Sequence, residues 1–269
     1  MSSAAKYKKN DVKINGIKNY HASLLLTHDC EVTFEDKGSS YLIPPKSIAF
    51  LEKGLTFSVR LTEDKEGKCY HLFTISEEIM SKILIIFENM NIRKKLTNPS
   101  SIRTLEDKVY IIESNDYDYT HINEKSLLKE DEMSLICKLA YLLSKIKKRD
   151  ELYYSMCVSV SKSFSDSVRE LVEKNINKKW RVLELAEYFH CSEVTIRKKL
   201  EREMLSFNKI ILDVRMSVAS KLILNTNYNI DTISEAVGIS STSYFIRLFH
   251  QYFGVTPKKY HLALRRKEK

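Results

Sequence analysis

Basic and polar side chains recur in two groups within the last third of the chain, at 194–202 and 242–258. Many of them are spaced three or four residues apart, which places them on one side of a helix. An arginine or lysine at such a position can donate to O6 and N7 of guanine, and a valine can contact the methyl group of thymine. The candidates for contact with DNA are Val194, Arg197, Lys198, Arg202, Thr242, Ser243, Arg247, His250 and Lys258. For Arg197, Lys198, Lys199 and Arg202 the alternative interpretation is a solvated basic face.

A short pattern that could position these side chains occurs twice, with an offset of 48 to 49 residues. The copies are residues 185–192 with Ile196 and Leu200, and residues 233–240 with Phe245 and Phe249. Each copy has an apolar residue followed by a small one, then a turn, then a serine that can cap the next helix. Those serines are Ser192 and Ser240. The apolar pair that follows at i, i+4 gives the second helix one buried stripe.

This repeat predicts two helix-turn-helix motifs, at about 183–204 and 231–253. Between them, residues 207–225 are predicted to form a long helix. Its predicted buried face consists of Phe207, Ile211, Val214, Val218 and Leu222. Gly254 and Pro257 predict a helix stop followed by a new helix, because glycine suits a left-handed C′ position and proline suits a first turn. From residue 166 onward we expect helices and no strands.

The basic charge of the chain is concentrated in the same region. Residues 166–269 hold 19 Lys and Arg against 12 Asp and Glu, a net charge of +7, whereas residues 1–165 hold 25 against 23, a net charge of +2. A basic segment beside a near-neutral one favours a polyanionic partner, which is either nucleic acid or an acidic membrane surface.

The common short motifs of catalytic and metal sites are absent from the sequence. It contains no G-x-x-x-x-G-K-[ST], G-x-G-x-x-G, G-x-S-x-G or H-E-x-x-H motif. The five cysteines form no C-x-x-C pair, which favours reduced thiols. No apolar run approaches the ~18 residues of a spanning helix, and the first residues carry no secretion signal. We therefore expect a cytoplasmic protein that is not an enzyme, holds no metal and does not cross a membrane.

The first half of the chain has a different pattern. Residues 12–75 contain short apolar or alternating runs separated by turn residues, which predicts a β sandwich or barrel. Helical spacing begins at Ser76 and returns at 127–146. The wide apolar face of 127–146 either packs on its own domain or pairs with a second copy of the chain. A basic and serine-rich stretch, 147–166, marks the predicted domain boundary.

Residues 166–264 resemble the double helix-turn-helix domain of the AraC/XylS family of transcription regulators. The family's closing signature is matched by Tyr244, Phe245, Arg247, Phe249, Gly254, Thr256, Pro257 and Tyr260. Its Arg-x-x-x-Ala-x-x-Leu-Leu pattern is matched by Arg215, Ala219, Leu222 and Ile223. The whole chain, including residues 13–15, 50–54 and 58–60, is most similar to the enterobacterial virulence regulators of this family. Two departures are His250, where the family usually has Lys or Arg, and His261, where Arg often follows the final Tyr.

The resemblance implies an α+β protein: a β-rich, cupin-like N-terminal barrel with helices, followed by an all-α double helix-turn-helix domain. The first domain, 1–160, would sense an effector and dimerise, with strands at about 12–75 and helices at about 76–148. The second, 166–264, would bind double-stranded DNA. The resemblance also implies RNA polymerase as a partner, a homodimer through helix 127–146, and activation of virulence genes.

An effector is likewise only an implication of the resemblance. The family's virulence regulators bind small carboxylates, either fatty acids or bicarbonate. Residues among the early strands that could anchor a carboxylate are Lys18, Tyr20, His21 and Arg60. Their alternative role is ordinary surface or core. No cofactor is expected, and the paired-His motif of the metal-binding relatives is absent.

Two other classes of function remain as alternatives. One is an enzyme with a nucleic-acid-binding C-terminal domain, which would require a cluster of acids or histidines in a first-domain cleft. The other is a non-specific architectural or membrane-surface protein, whose binding to a DNA site would not survive competition by random DNA.

Overall fold

The computed structural model describes residues 11–28, 31–36, 39–62, 70–89, 103–113 and 131–264. The chain divides into two compact units, one ending at Ser161 and the other spanning Lys162–Leu264. Parts of the predicted regions lie outside the described residues: 29–30, 37–38 and 63–69 in the strand region, and 90–102 and 114–130 in the helical region, which includes the start of helix 127–146.

The first unit begins with strands. They are β1 (Asp11–Lys18), β2 (Ser23–Thr27), β3 (Glu31–Asp36), β4 (Ser39–Ile43), β5 (Ile48–Leu51), β6 (Thr56–Thr62), β7 (Tyr70–Thr74) and β8 (Val109–Ile112). They form two four-stranded antiparallel sheets, in the orders β1-β6-β3-β4 and β7-β2-β5-β8. Two antiparallel sheets agree with the sandwich or barrel that the short runs predict, and they roughly fit the cupin-like domain that the family resemblance implies. The predicted class, a β-rich domain with helices followed by an all-α domain, is confirmed.

A one-turn 3-10 helix (Leu105–Asp107) and three α-helices complete the described part of this unit: α1 (Glu77–Asn89), α2 (Glu132–Ser144) and α3 (Arg149–Val160). Their apolar faces share one core with β2, β5, β7 and β8, in which Leu24 and Phe50 are fully buried. Leu25 and Ala49, which alternate with those residues along the strands, are also fully buried. Both faces of β2 and β5, the two central strands of the second sheet, are therefore covered, which accounts for their nearly continuous apolar sequences.

Helix α3 occupies the stretch in which the sequence predicts only a boundary. Its apolar residues Leu152 and Met156 are fully buried, and so is Ser155. Arg103 anchors Ser155 by donating Nη2 to the hydroxyl at 2.7 Å, and donates Nη1 to the Glu52 carboxylate at 2.8 Å. Serines that are buried and hydrogen-bonded hide the apolar period of this helix from a sequence pattern.

The second unit is entirely helical, as the sequence predicts. Its helices are α4 (Phe164–Lys174), α5 (Val182–Tyr188), α6 (Glu193–Arg202), α7 (Phe207–Asn225), α8 (Ile230–Ala236), α9 (Thr242–Phe253) and α10 (Pro257–Leu264). Helix α7 packs against α4, α8 and α10. The buried residues of α7 are Ile210, Asp213, Val214, Met216, Ala219 and Ile223. Of the predicted face, Val214 is buried and the other four residues are half-buried. Contacts with three other helices bury more than one side of α7.

Candidate nucleic-acid interface

Helices α5 and α6 form the first helix-turn-helix motif. Ser192 caps α6, because its hydroxyl accepts the backbone N–H of Thr195 at 3.2 Å. Ile196 and Leu200 are buried on the inner side of α6, against Leu185 of α5 among others. The side of α6 away from this core is left to solvent, and the cap fixes where that helix begins.

Helices α8 and α9 form the second motif. Its cap is Ser241, which accepts the N–H of Tyr244 at 3.3 Å, so the predicted cap at Ser240 is wrong by one residue. The reason is the length of the turn: five residues separate α8 from α9, and four separate α5 from α6. Phe245 and Phe249 are fully buried on the inner side of α9.

The predicted DNA-contact residues of the first motif share one exposed face. Val194 is 60% exposed, and Arg197, Lys198 and Arg202 are also exposed. Positions 194, 197, 198 and 202 lie within about two turns of one side of α6. The guanidinium of Arg197 lies 3.6 Å from the Glu193 carboxylate one turn earlier, which holds the arginine along the helix.

The second motif presents a similar face. Ser243, Arg247 and His250 are exposed on α9, and Arg247 lies over the ring of Tyr244 with 5.3 Å between the guanidinium carbon and the ring centroid. Thr242 is half-buried, and its hydroxyl donates to the Asp231 carboxylate at 2.6 Å, so this residue joins α8 to α9.

The end of α9 and the start of α10 follow the predicted stop. Gly254 has φ +77° and ends α9, and Pro257 begins α10. Lys258 is exposed in the first turn of α10, so it belongs to neither α6 nor α9. His261 Nδ1 lies 2.8 Å from the carbonyl oxygen of Ile223 and donates to it. This departure from the family pattern therefore has a role within the fold, against α7.

Two carboxylates that were not among the predicted site residues hold the exposed helices in place. Glu203 follows α6, and its carboxylate accepts the backbone N–H groups of Phe164 and Ser165 at 2.9 and 3.1 Å, at the start of α4. Asp213 of α7 is fully buried; it accepts the Tyr252 hydroxyl of α9 at 2.8 Å and pairs with Lys209 at 3.1 Å. No sequence pattern marks either contact, because the partners are 38 or more residues apart.

Tyr260 joins α10 to the aromatic core of the second motif. Its ring centroid is 5.3 Å from that of Phe249 and 5.1 Å from that of Phe253. Burial raises the pKa of the Tyr260 hydroxyl to about 12, so the neutral form is retained in the core.

The candidate effector residues of the first unit lie on β1, on β6 and in the residues that follow β1. Lys18 and Tyr20 are half-buried, and His21 is exposed. Asn19 between them is buried, donating to the Glu52 carbonyl oxygen at 3.2 Å. Lys18 pairs with Thr56, so the backbone of Arg60 lies four residues farther along β6, roughly 13 Å away at about 3.3 Å per residue.

Neither a metal-binding cluster nor a membrane-spanning helix is present within the described ranges. Those residues contain no group of three or more His, Cys, Asp or Glu that could hold a metal ion. None of their helices has the length and apolar character needed to cross a bilayer.

Two capped helix pairs in one all-α unit, each exposing a polar face, define a DNA-binding protein with two helix-turn-helix motifs. Residues 185–263 match the protein family described as a helix-turn-helix domain. The chain is 35% identical over 257 residues to the DNA-binding dual transcriptional regulator Rns of Escherichia coli, covering 94% of each chain. It is 33% identical over 257 residues to the virulence regulon transcriptional activator VirF of Shigella flexneri, covering 94% of this chain and 95% of VirF.

A solved structure with the same fold is that of wild-type ToxT from Vibrio cholerae bound to an unsaturated fatty acid. It matches with a TM-score of 0.66 and 19% identity, covering 97% of this chain and 94% of ToxT. The chain belongs to the AraC/XylS family of transcriptional regulators, and it is a DNA-binding regulator rather than an enzyme.

Proposed function

We propose that this protein activates virulence genes by placing α6 and α9 in successive major-groove segments on one face of double-stranded DNA. Segments one helical turn apart are separated by roughly 34 Å. The observation that carries the proposal is the pair of capped helices with exposed polar faces in one basic unit. The role in virulence is supported by a relative, VirF, which is described as a virulence regulon transcriptional activator.

The candidate residues on α6, α9 and α10 make two kinds of contact with DNA, to bases and to phosphates. Arg197 and Arg247 are the principal base-contacting residues, since a guanidinium can donate two parallel hydrogen bonds to guanine. Val194, Lys198, Thr242 and Ser243 lie beside them as further base contacts. Arg202, His250 and Lys258 contact phosphates, where charge matters more than sequence. Thr242 reaches DNA only if its hydroxyl leaves Asp231 or uses its remaining acceptor capacity.

The first unit, residues 1–160, provides regulation, and residues 166–264 provide DNA binding. We assign it a small carboxylate effector, because a structurally similar protein, ToxT, is described as bound to an unsaturated fatty acid. Lys18, Tyr20, His21 and Arg60 remain the candidates for its carboxylate. A homodimer through helix 127–146, an interaction with RNA polymerase and a cytoplasmic location complete the proposal.

The test begins with a DNA duplex that full-length protein selects from a random-sequence library. Arg197→Ala and Arg247→Ala should each weaken binding to this duplex by ~1–3 kcal/mol and relax the preference at one base position. Lys174→Ala is the matched control, because it removes an exposed positive charge outside α6 and α9. If both arginine variants lose the same affinity for random DNA as for the selected duplex, they contact phosphates and our assignment of base contacts is wrong.

The effector is tested by measuring the affinity for the same duplex at constant pH and ionic strength, with bicarbonate and then with an unsaturated fatty acid. A coupling of ~1–3 kcal/mol would change DNA affinity about 5- to 150-fold. An unchanged affinity and an unchanged oligomeric state with both compounds would reject the carboxylate effector and leave DNA binding in place.

A further inference from the structure

The loop that precedes the first motif contacts the turn of the second motif. Gly238 lies in the turn between α8 and α9 with φ +74°. A Cβ atom at this position would lie 2.9 Å from the Cα atom and 3.0 Å from the carbonyl oxygen of Asn177, in the loop between α4 and α5. The two backbones therefore approach each other too closely for any side chain to lie between them.

The equivalent turn of the first motif shows that conformation alone does not require this glycine. His190 stands 48 residues before Gly238, at the same point of the repeat. It also has a left-handed backbone, with φ +50°, and its side chain is exposed. A residue with a side chain is thus accommodated in the first turn. At Gly238 the missing side chain makes room for the other motif.

Arg215 of α7 reinforces the contact. Its Nη2 atom donates to the carbonyl oxygen of Lys178 at 3.1 Å, and it would lie 3.0 Å from a Cβ atom at Gly238. Its Nε atom is buried, and burial lowers the pKa of the guanidinium. We call the set of Asn177, Lys178, Arg215 and Gly238 the clasp.

The loop side of the clasp is held by its own hydrogen bonds. The carbonyl oxygen of Asn175 accepts the Lys178 backbone N–H at 3.1 Å and the Trp180 indole N–H at 3.0 Å. The Lys178 ammonium pairs with Glu184 of α5 at 2.8 Å. A shift of the loop would therefore be transmitted to α5, the first helix of the first motif.

From this geometry we infer that the clasp sets the separation and rotation of the two recognition helices, and that Arg215 and Gly238 determine which spacing between DNA half-sites the protein accepts. The inference rests on the proposed function, in which both α6 and α9 enter the major groove. Helix α7 is the covalent link between the motifs, and its residues Ile210 and Val214 pack in the core of the first motif. Bending of α7 would change the orientation of one motif relative to the other. The clasp is a direct contact between the motifs that opposes this bending. Arg215 and Gly238 act as positioning residues that do not contact DNA.

DNA geometry makes this attachment measurable. Adding one base pair between the half-sites moves the second one by about 3.4 Å and rotates it by about 34°. A rigid pair of motifs loses the base contacts of one motif on such a site. The expected cost is at least that of one bidentate contact, ~1–3 kcal/mol, which is roughly 5- to 150-fold in affinity.

The experiment uses full-length protein and the duplex selected from random DNA, with versions that gain or lose one base pair between the half-sites. The measured quantity is the spacing penalty, the ratio of the affinity for the original duplex to that for each altered duplex. Wild-type protein should show the full penalty. Arg215→Ala should reduce it several-fold, and Gly238→Ala should shift the preferred spacing or reduce the penalty. Lys221→Ala, which removes an exposed charge from the same helix, should leave it unchanged.

The spacing penalty is a ratio measured on one preparation, so a loss of folded protein does not change it. Arg215→Lys, which keeps the charge, replaces Arg215→Ala if that variant does not fold. A wild-type penalty in a variant with weakened binding would overturn the inference and leave Arg215 with a purely structural role. The absence of any penalty in wild-type protein would instead overturn the proposed binding by two motifs.

Discussion

The two helix-turn-helix motifs share one backbone plan and are held in place by different parts of the molecule. The recognition helix α6 is fixed through Glu203 to the start of α4, the first helix after the end of the first unit. The recognition helix α9 is fixed through Tyr252 to Asp213 in the middle of α7. The first motif is therefore attached where the chain enters the DNA-binding unit, and the second is attached to the helix that joins the motifs.

Their cores differ as well. The core around α6 is mainly aliphatic, with Leu185, Ile196 and Leu200 fully or almost fully buried. The core around α9 is a cluster of rings, in which Phe249 lies 5.8 Å from Phe245 and 4.5 Å from Phe253, measured between centroids. Rings have few internal degrees of freedom, so the second core loses less conformational entropy for the surface it buries.

The largest expected effect is that of emptying the aromatic core. Phe249→Ala should lower the free energy of unfolding by ~3–5 kcal/mol, because it removes a fully buried ring and leaves a cavity. Leu200→Ala at the corresponding place in α6 should cost ~2–5 kcal/mol. Denaturant unfolding of both variants tests the contrast, with the half-exposed Tyr244→Ala as a control. A larger loss for Leu200→Ala would contradict the greater role we give to the rings.

Alkaline pH should weaken the second motif through Tyr260. The pKa of its hydroxyl is about 12 in the folded protein, against an ordinary value of 10.0. The stabilisation from the neutral, buried form is complete below pH 10 and is lost as the pH rises toward 12. Two pKa units correspond to about 2–3 kcal/mol. Unfolding measured from pH 8 to pH 11.5 should show a smaller decline for Tyr260→Phe than for wild type, and equal declines would reject this source.

A smaller effect is expected when the attachment of α6 is removed. Glu203→Ala leaves the N–H groups of Phe164 and Ser165 without their carboxylate and should cost ~0.5–2 kcal/mol. The preference for particular bases should weaken most at the positions where Arg197→Ala also weakens it. Glu201→Ala, an exposed glutamate on α6, is the matched control. A loss at the positions read by Arg247 would show that the two attachments are not separate.

The smallest effect is expected at the attachment of α9. Tyr252→Phe removes the hydrogen bond to Asp213 and retains the ring and the ion pair with Lys209, so it should cost ~0.5–1.5 kcal/mol. Base preference should change only at the positions assigned to α9. Comparing the base preferences of this variant with those of Glu203→Ala measures how independently the two motifs are held.

Local signals in the sequence predicted much of the second unit. Ser192 as a cap, Gly254 as a stop and the buried pair at 196 and 200 are all confirmed, because each depends on neighbours within one or two turns. The cap of α9 was wrong by one residue because the second turn is longer. The two copies match at an offset of either 48 or 49 residues, so the repeat does not show which of two adjacent serines is the cap.

Features that depend on distant partners were not predictable in this way. The contact between Gly238 and Asn177 and the burial of Asp213 require the tertiary fold, since nothing local distinguishes Asp213 from a surface aspartate. In the first unit, β8 lies in a stretch that has no clear pattern, and the buried serines of α3 look polar in sequence. The carboxylate-anchoring residues are predicted from residue type alone. Residue type does not show that the backbone of Arg60 lies four residues along β6 from Thr56, the partner of Lys18.

The cap on α4 bears on where this protein can be cut. Phe164 and Ser165, whose N–H groups Glu203 accepts, lie before residue 166, and so does Ser163, which caps the same helix through Asp166. Phe164 also lies 5.0 Å from the ring of Phe189, between centroids. A fragment that begins at 166 would lack all three residues and would release the end of α6. An isolated DNA-binding fragment should therefore begin at Lys162 or earlier, and a proteolytic cut at 165 would damage the first motif.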